Sequence, residues 1–176
     1  MWRKSGSRPC PARGTIRVSG KVAGVFLKGE IMTSLTLKEH KPIKVLVVED
    51  NMPDVVLIRE AFKESKRLIQ ITAVKDGVEA MNCLRGNGHF KSSLRPDVIL
   101  LDLNLPKKSG LEVLNEIKSD FNLHDVPVIV LSESNLDSDI RRAYDSHANF
   151  YIIKPAELDQ LFMAMRYVEK VWLGGC

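Results

Sequence analysis

Five polar residues far apart in the chain share one local context. Asp102 follows the apolar run Val98-Ile99-Leu100-Leu101, the pair Glu49-Asp50 follows Lys44-Val45-Leu46-Val47-Val48, Ser132 follows residues 128–131, and Lys154 follows residues 149–153 and precedes Pro155. Carboxylates brought together repel one another, and each is pushed towards protonation unless a cation holds the cluster. With no His or Cys nearby, an all-oxygen donor set favours Mg2+ or Mn2+ over zinc, and a loop carbonyl such as that of Asn104 can add a ligand beside waters. A carboxylate can also act as a nucleophile, through an aspartyl phosphate. Catalysis of phosphoryl transfer is mostly positioning and charge neutralisation. The cation would then take part of the phosphoryl charge, Lys154 would bind a second oxygen as a point charge, and the Ser132 hydroxyl would donate to a third. Taken singly, each residue has a plainer reading as a helix cap, an ST-turn or a solvated loop lysine. Their recurrence at the same end of successive apolar runs is what points to chemistry.

Short apolar runs bounded by turn residues read as strands buried on both faces, as in parallel sheets. A further strand over 69–74 ends before the turn Asp76-Gly77. Helical periodicity fills the intervals. One helix starts with Asn51 as a potential cap and Pro53 in its first turn, and places Val55, Ile58, Ala61, Phe62 and Ser65 on one face. A second, over 78–84, turns Val78, Met81 and Leu84 inward and stops at Gly86-Asn87-Gly88. A third carries Leu111, Val113, Leu114 and Ile117. The stripe Leu136, Ile140, Ala143, Tyr144 and His147 predicts a fourth, and Leu158, Leu161, Phe162, Met165, Val168 and Trp172 a fifth. This alternation predicts an α/β fold, a doubly wound five-stranded parallel sheet of the flavodoxin-like order 2-1-3-4-5 with right-handed crossovers. In that order strands 1, 3, 4 and 5 are successive neighbours. Glu49, Asp50, Asp102, Ser132 and Lys154 then converge outside the carboxyl ends of the strands, where open α/β sheets bind ligands.

A chain of 176 residues, 44% hydrophobic and 27% charged, suits one domain with some surplus. The net charge of +4 is unevenly spread: residues 1–43 carry nine Lys/Arg against two acids, and the remainder is mildly acidic. Residues 1–41 lack periodicity and are rich in Gly and Pro, which predicts a basic, disordered extension; 42–172 form the domain and 173–176 a tail. Such a basic front allows nucleic-acid or membrane contact, and its acid-poor start has the composition of an organellar transit peptide, but a solvated tail is the preferred reading. The codons required by Lys28-Gly29-Glu30-Ile31 can spell a bacterial ribosome-binding site, which points to Met32 as the native start and leaves 1–31 untranslated. An intact mass from source cells that includes 1–31 would refute this. Cys10, Cys83 and Cys176 show neither disulfide nor zinc spacing. With no apolar run of about 20 residues and no signal-peptide core, a cytoplasmic protein is expected.

The combination of motifs resembles the receiver domain of bacterial two-component response regulators, over residues 44 to about 171. The motifs are Glu49-Asp50, then Asp102-Leu103-Asn104-Leu105-Pro106 with Gly110, then Ser132, then Lys154-Pro155. The resemblance implies that Asp102 accepts a phosphoryl group from a histidine kinase, that Asp50 and Asp102 ligate Mg2+ with Glu49 supporting it through water, and that Tyr151 is a switch aromatic moving with Ser132. Glu49 and Ser132 stand where Asp and Thr are commoner in the family, and both keep the needed atoms. The segments SLRPDVILLDLNLPKKSG and HANFYIIKP and the end Val171-Trp172 resemble stand-alone regulators that partner phytochrome-type kinases. Only four residues follow Trp172, so output is expected through the domain's own surface, helix 4, strand 5 and helix 5. Phe150, Tyr151, Tyr167 and Trp172 are candidates there for a homodimer or partner contact, and Phe162 for core packing. Two other readings are weaker. A Mg-dependent aspartyl-phosphate phosphohydrolase would want a second acid two residues after the nucleophile, where Asn104 stands; this argues against turnover of an external substrate. A DNA-binding regulator would need the basic front.

Overall fold

The structure, a computed structural model, describes residues 41–90 and 92–173. The expectations for residues 1–40 and 174–176, Cys10 and Cys176 among them, lie outside the described residues. Five strands alternate with five helices: β1 (Ile43–Val48), α1 (Met52–Lys63), β2 (Ile69–Val74), α2 (Gly77–Arg85), β3 (Val98–Leu101), α3 (Gly110–Ser119), β4 (Val128–Ser132), α4 (Asp137–Asp145), β5 (Phe150–Ile153) and α5 (Leu158–Val168). A π-helical turn, Glu169–Leu173, continues α5. The sheet is parallel throughout in the order β2-β1-β3-β4-β5, as the alternating pattern predicts.

The central strands are apolar along their length because both faces are covered. Leu46, Val48, Ile99, Leu101, Val128 and Val130 pack on Met81, Leu84, Val113, Leu114 and Ile117. The alternate residues Val45, Val47, Val98, Leu100, Ile129 and Leu131 pack on Val55, Ile58, Phe62, Leu161, Met165 and Val168. Fully burying each such side chain contributes about 1.5–3 kcal/mol, which fixes the strand register. Val48 pairs with Leu101, Leu101 with Val130, and Ser132 with Ile153. The residues following β1, β3 and β5 therefore leave the sheet at one edge together with Ser132.

Local signals set the helix ends. Ser109 and Glu112 form a reciprocal capping box at the start of α3, and Gly86, at φ 71°, closes α2 in the left-handed conformation. Gly110 lies so close to β3 that a Cβ there would stand 2.0 Å from the Asp102 carbonyl oxygen; only glycine lets α3 begin this near the Asp102 backbone.

Some helical expectations need correction. Val78 is 42% exposed, because the buried face of α2 is centred on Ala80, Met81, Cys83 and Leu84. On α4 only Ala143 is buried; Leu136 and Tyr144 are exposed, and His147 lies beyond the helix at φ 63°. That short helix rests on the rim of the core. Asn51 occupies the N-cap position of α1, but its side chain caps nothing. Trp172 sits in the π-helical turn, not in α5.

Asp76 caps α2 and ties it to the β3–α3 loop. Its carboxylate, buried in the fold, accepts from the Glu79 amide at 2.8 Å and from Lys107 Nζ at 2.5 Å. Burial alone would raise its pKa, but Lys107 and the backbone amides outweigh it and hold the group below the usual carboxylate range. A depressed folded pKa gives stability that is complete above the unfolded value and is lost as pH falls through the folded one. Asp76→Ala is expected to cost about 1–2 kcal/mol at neutral pH. Urea melts should show that difference shrinking as pH drops below about 4.

Candidate functional site

The shared register carries Glu49, Asp102, Ser132 and Lys154 to one sheet edge by backbone bonds. The Asp102 amide donates to the Val48 carbonyl at 3.0 Å, and the Lys154 amide to the Ser132 carbonyl at 2.8 Å. Glu49, Asp102 and Ser132 are buried, Lys154 is half-buried, and Asp50 and Asn104 are exposed at the mouth. Carboxylate oxygens of Glu49, Asp50 and Asp102 all lie within 4.8 Å of one another.

Lys154 is the cation that this cluster surrounds. Its Nζ stands 2.7 Å from Glu49 Oε2, 2.7 Å from Asp102 Oδ2 and 2.9 Å from Asp54 Oδ2. Burial disfavours the ammonium, but the bonds to Asp102, Glu49 and Asp54 outweigh it and raise its pKa, so Lys154 stays charged. Burial pushes the Glu49 carboxyl up, against the pull of Lys154. The other oxygen of Asp102, Oδ1, accepts from the Asn104 amide at 3.0 Å. One carboxylate is thus oriented through both of its oxygens. Three oxygen acids with no nitrogen or sulfur ligand among them fit a hard divalent cation such as Mg2+ or Mn2+.

Ser132 leads from this edge towards α4. Its Oγ accepts from the Ser134 amide at 3.4 Å, and the Ser134 hydroxyl donates to Asp139 Oδ2 at 2.6 Å. The Tyr151 ring is turned inward, 9% exposed, and its hydroxyl donates to the Ser134 carbonyl at 2.9 Å. Burial raises the Tyr151 pKa, so the hydroxyl keeps its proton. On the outer face Phe150 and Tyr167 lie with ring centroids 5.5 Å apart, and Tyr144, Ile153 and Tyr167 are exposed. Phe162 is partly buried against the α1–α5 side of the core, as is Trp172.

The three acids and Lys154 singled out in the sequence lie together, and Ser132 leaves the sheet at the same edge. Asp54 was not among them. An acid in the first turn of a helix reads as a partner of the helix dipole, and the available signal was its place one turn beyond Glu49-Asp50 on the helix entering from the site.

A family model described as the response regulator receiver domain matches residues 45–166. Response regulator Rcp1 of Synechocystis sp. is 40% identical over 136 residues, covering 77% of this chain and 92% of that protein. Among solved structures, the phosphorylated cyanobacterial phytochrome response regulator RcpA is similar at 49% identity and a TM-score of 0.73, covering 76% of this chain and 96% of that one. The Mn2+-bound form of Rcp1 is similar at 40% identity and a TM-score of 0.72, over 77% of this chain and 97% of that one. Among the described residues, no helix is long and apolar enough to cross a membrane.

Proposed function

The chain belongs to the response regulator receiver domain family, and from that premise we propose that Asp102 accepts a phosphoryl group from a sensor histidine kinase and that the domain passes the change to a protein partner. The observation that carries the reading is Asp102 held between Lys154 Nζ and the Asn104 amide beside Glu49 and Asp50. An Asp102 carboxylate oxygen attacks phosphorus, a P–O bond forms, and the P–N bond of the phosphohistidine breaks with its electron pair left on the imidazole nitrogen. Glu49, Asp50 and Asp102, with the Asn104 carbonyl, would hold Mg2+ or Mn2+, which when bound would neutralise part of the phosphoryl charge. Lys154 binds one phosphoryl oxygen and the Ser132 hydroxyl donates to another.

Drawing Ser132 towards the phosphoryl group pulls on the Ser134 segment, to which Tyr151 and Asp139 of α4 are both bonded. The phosphoryl group thereby shifts a two-state equilibrium of the α4–β5–α5 face. Exposed Tyr144, Ile153 and Tyr167 suit that face to a homodimer or another protein. Turnover of an external substrate is not part of the proposal, since Asn104 offers no acid to protonate a leaving group. The similarity to RcpA, a phytochrome response regulator, supports a phytochrome-type kinase as donor. Transfer profiling against the autophosphorylated histidine kinases of the source organism tests this: one phytochrome-type kinase should transfer much faster than the rest. Preferred transfer from a kinase of another type would contradict the assignment.

A further inference from the structure

An ammonium group has three N–H donors, and Lys154 has three carboxylate partners, Glu49, Asp102 and Asp54. With Asp102 as phosphoacceptor, the reading on which this inference rests, Lys154 must offer a hydrogen to a phosphoryl oxygen that is not there beforehand. The phosphoryl oxygen therefore competes with contacts already made, hydrogen bonds to Asp102 and Asp54 and an ion pair with Glu49. We infer that Asp54 is the partner Lys154 gives up, so that Asp54 is a positioning residue that competes with the phosphoryl group for the lysine.

Three observations single out Asp54. The side chains of Glu49 and Asp102 are only 2% and 6% exposed, whereas that of Asp54 is 25% exposed. A carboxylate oxygen that loses its donor in the interior has no water to replace it, and one at the surface turns to water instead. The Asp54 contact is also the longest of the three, at 2.9 Å. Finally, Asp54 lines a cavity of about 250 Å3 with Leu57, Ile58, Glu133, Lys154 and Pro155, which gives a released carboxylate somewhere solvated to go.

The consequence runs against the usual expectation that removing a polar contact at a site impairs it. Asp54 stabilises the unphosphorylated arrangement, and its charge adds to the repulsion that the incoming phosphoryl group meets. Removing it therefore favours phosphorylation. Asparagine keeps an acceptor oxygen but makes a neutral, weaker bond, so its effect falls between wild type and alanine. The bond also ties the first turn of α1 to the state of Asp102, a link from the α1 side that the Ser132–Tyr151 route does not make.

The test compares wild type, Asp54→Asn, Asp54→Ala and Asp102→Asn at saturating Mg2+ and limiting acetyl phosphate, where the P–O bond to acetate breaks as the bond to Asp102 forms. Phosphorylated and unphosphorylated protein are counted by intact mass. Asp54→Ala should raise their ratio about threefold over wild type, Asp54→Asn should raise it less, and both should lose the group more slowly once the donor is removed. In wild type, the Asp54 carboxyl carbon signal in NMR should move when beryllium fluoride is added with Mg2+. A helix-dipole role alone would alter thermal stability and neither of these readouts. Ratios at or below wild type in both variants, with an unmoved Asp54 signal, would overturn the inference. Unlabelled wild type, or Asp102→Asn labelled equally, would overturn the phosphoacceptor reading instead.

Discussion

Asparagine at position 102 is expected to abolish phosphoryl labelling while leaving the fold intact. The substitution removes the nucleophilic carboxylate and nothing of its shape. The Asn104 amide can still donate to the side-chain oxygen, and Lys154 keeps Glu49 and Asp54 as partners. One negative charge leaves a group of acids that repel one another, so in EDTA the variant should melt no lower than wild type. Loss of labelling with an undiminished melting temperature separates missing chemistry from misfolding. A variant that still acquires one phosphoryl group would place the acceptor elsewhere.

Truncating Lys154 to alanine should be costly in a different way. Its side chain is 12% exposed and is the shared cation of Glu49, Asp54 and Asp102. Removing one member of a buried charge cluster leaves the others desolvated and unpaired, at a cost of about 3–5 kcal/mol. The Glu49 carboxyl, whose pKa burial already raises, can take up a proton and bring the loss nearer to about 3 kcal/mol. Denaturant melts in EDTA should show this loss, and saturating Mg2+ should recover most of it by replacing the missing positive charge. The variant should therefore still bind Mg2+ yet fail to signal, because nothing draws the phosphoryl oxygen to the β5 side. Equal melts in EDTA for the variant and wild type would mean that the three contacts carry no net stabilisation.

The central strands were readable because helices cover both faces, which leaves uninterrupted apolar runs ending in chemistry-bearing residues. Placing Glu49, Asp50, Asp102, Ser132 and Lys154 at one edge needed only the strand order and the parallel register. Elements on the rim were less readable. On α2 the phase of the buried stripe depends on which small residues, Ala80 and Cys83, face the sheet, and the larger Val78 masks it. On α4 the apolar residues Leu136 and Tyr144 look inward by spacing, but the helix is short and at the edge. Asp54 escaped because its partner is 100 residues away, and a first-turn acid needs no partner to be explained. The inward Tyr151 depends on a bond to a backbone carbonyl, at Ser134, that no residue type announces.

The central claim is that the carboxylate closing β3 is the phosphoacceptor. Its most direct measurement is to phosphorylate the protein in Mg2+, find the number of groups by intact mass, test their lability to hydroxylamine and map the modified peptide. The account predicts one group per chain, released by hydroxylamine as an acyl phosphate is, on Asp102. A hydroxylamine-stable group on Ser132, a group mapped to a histidine, or no group at all with Mg2+ and donor present, would contradict it.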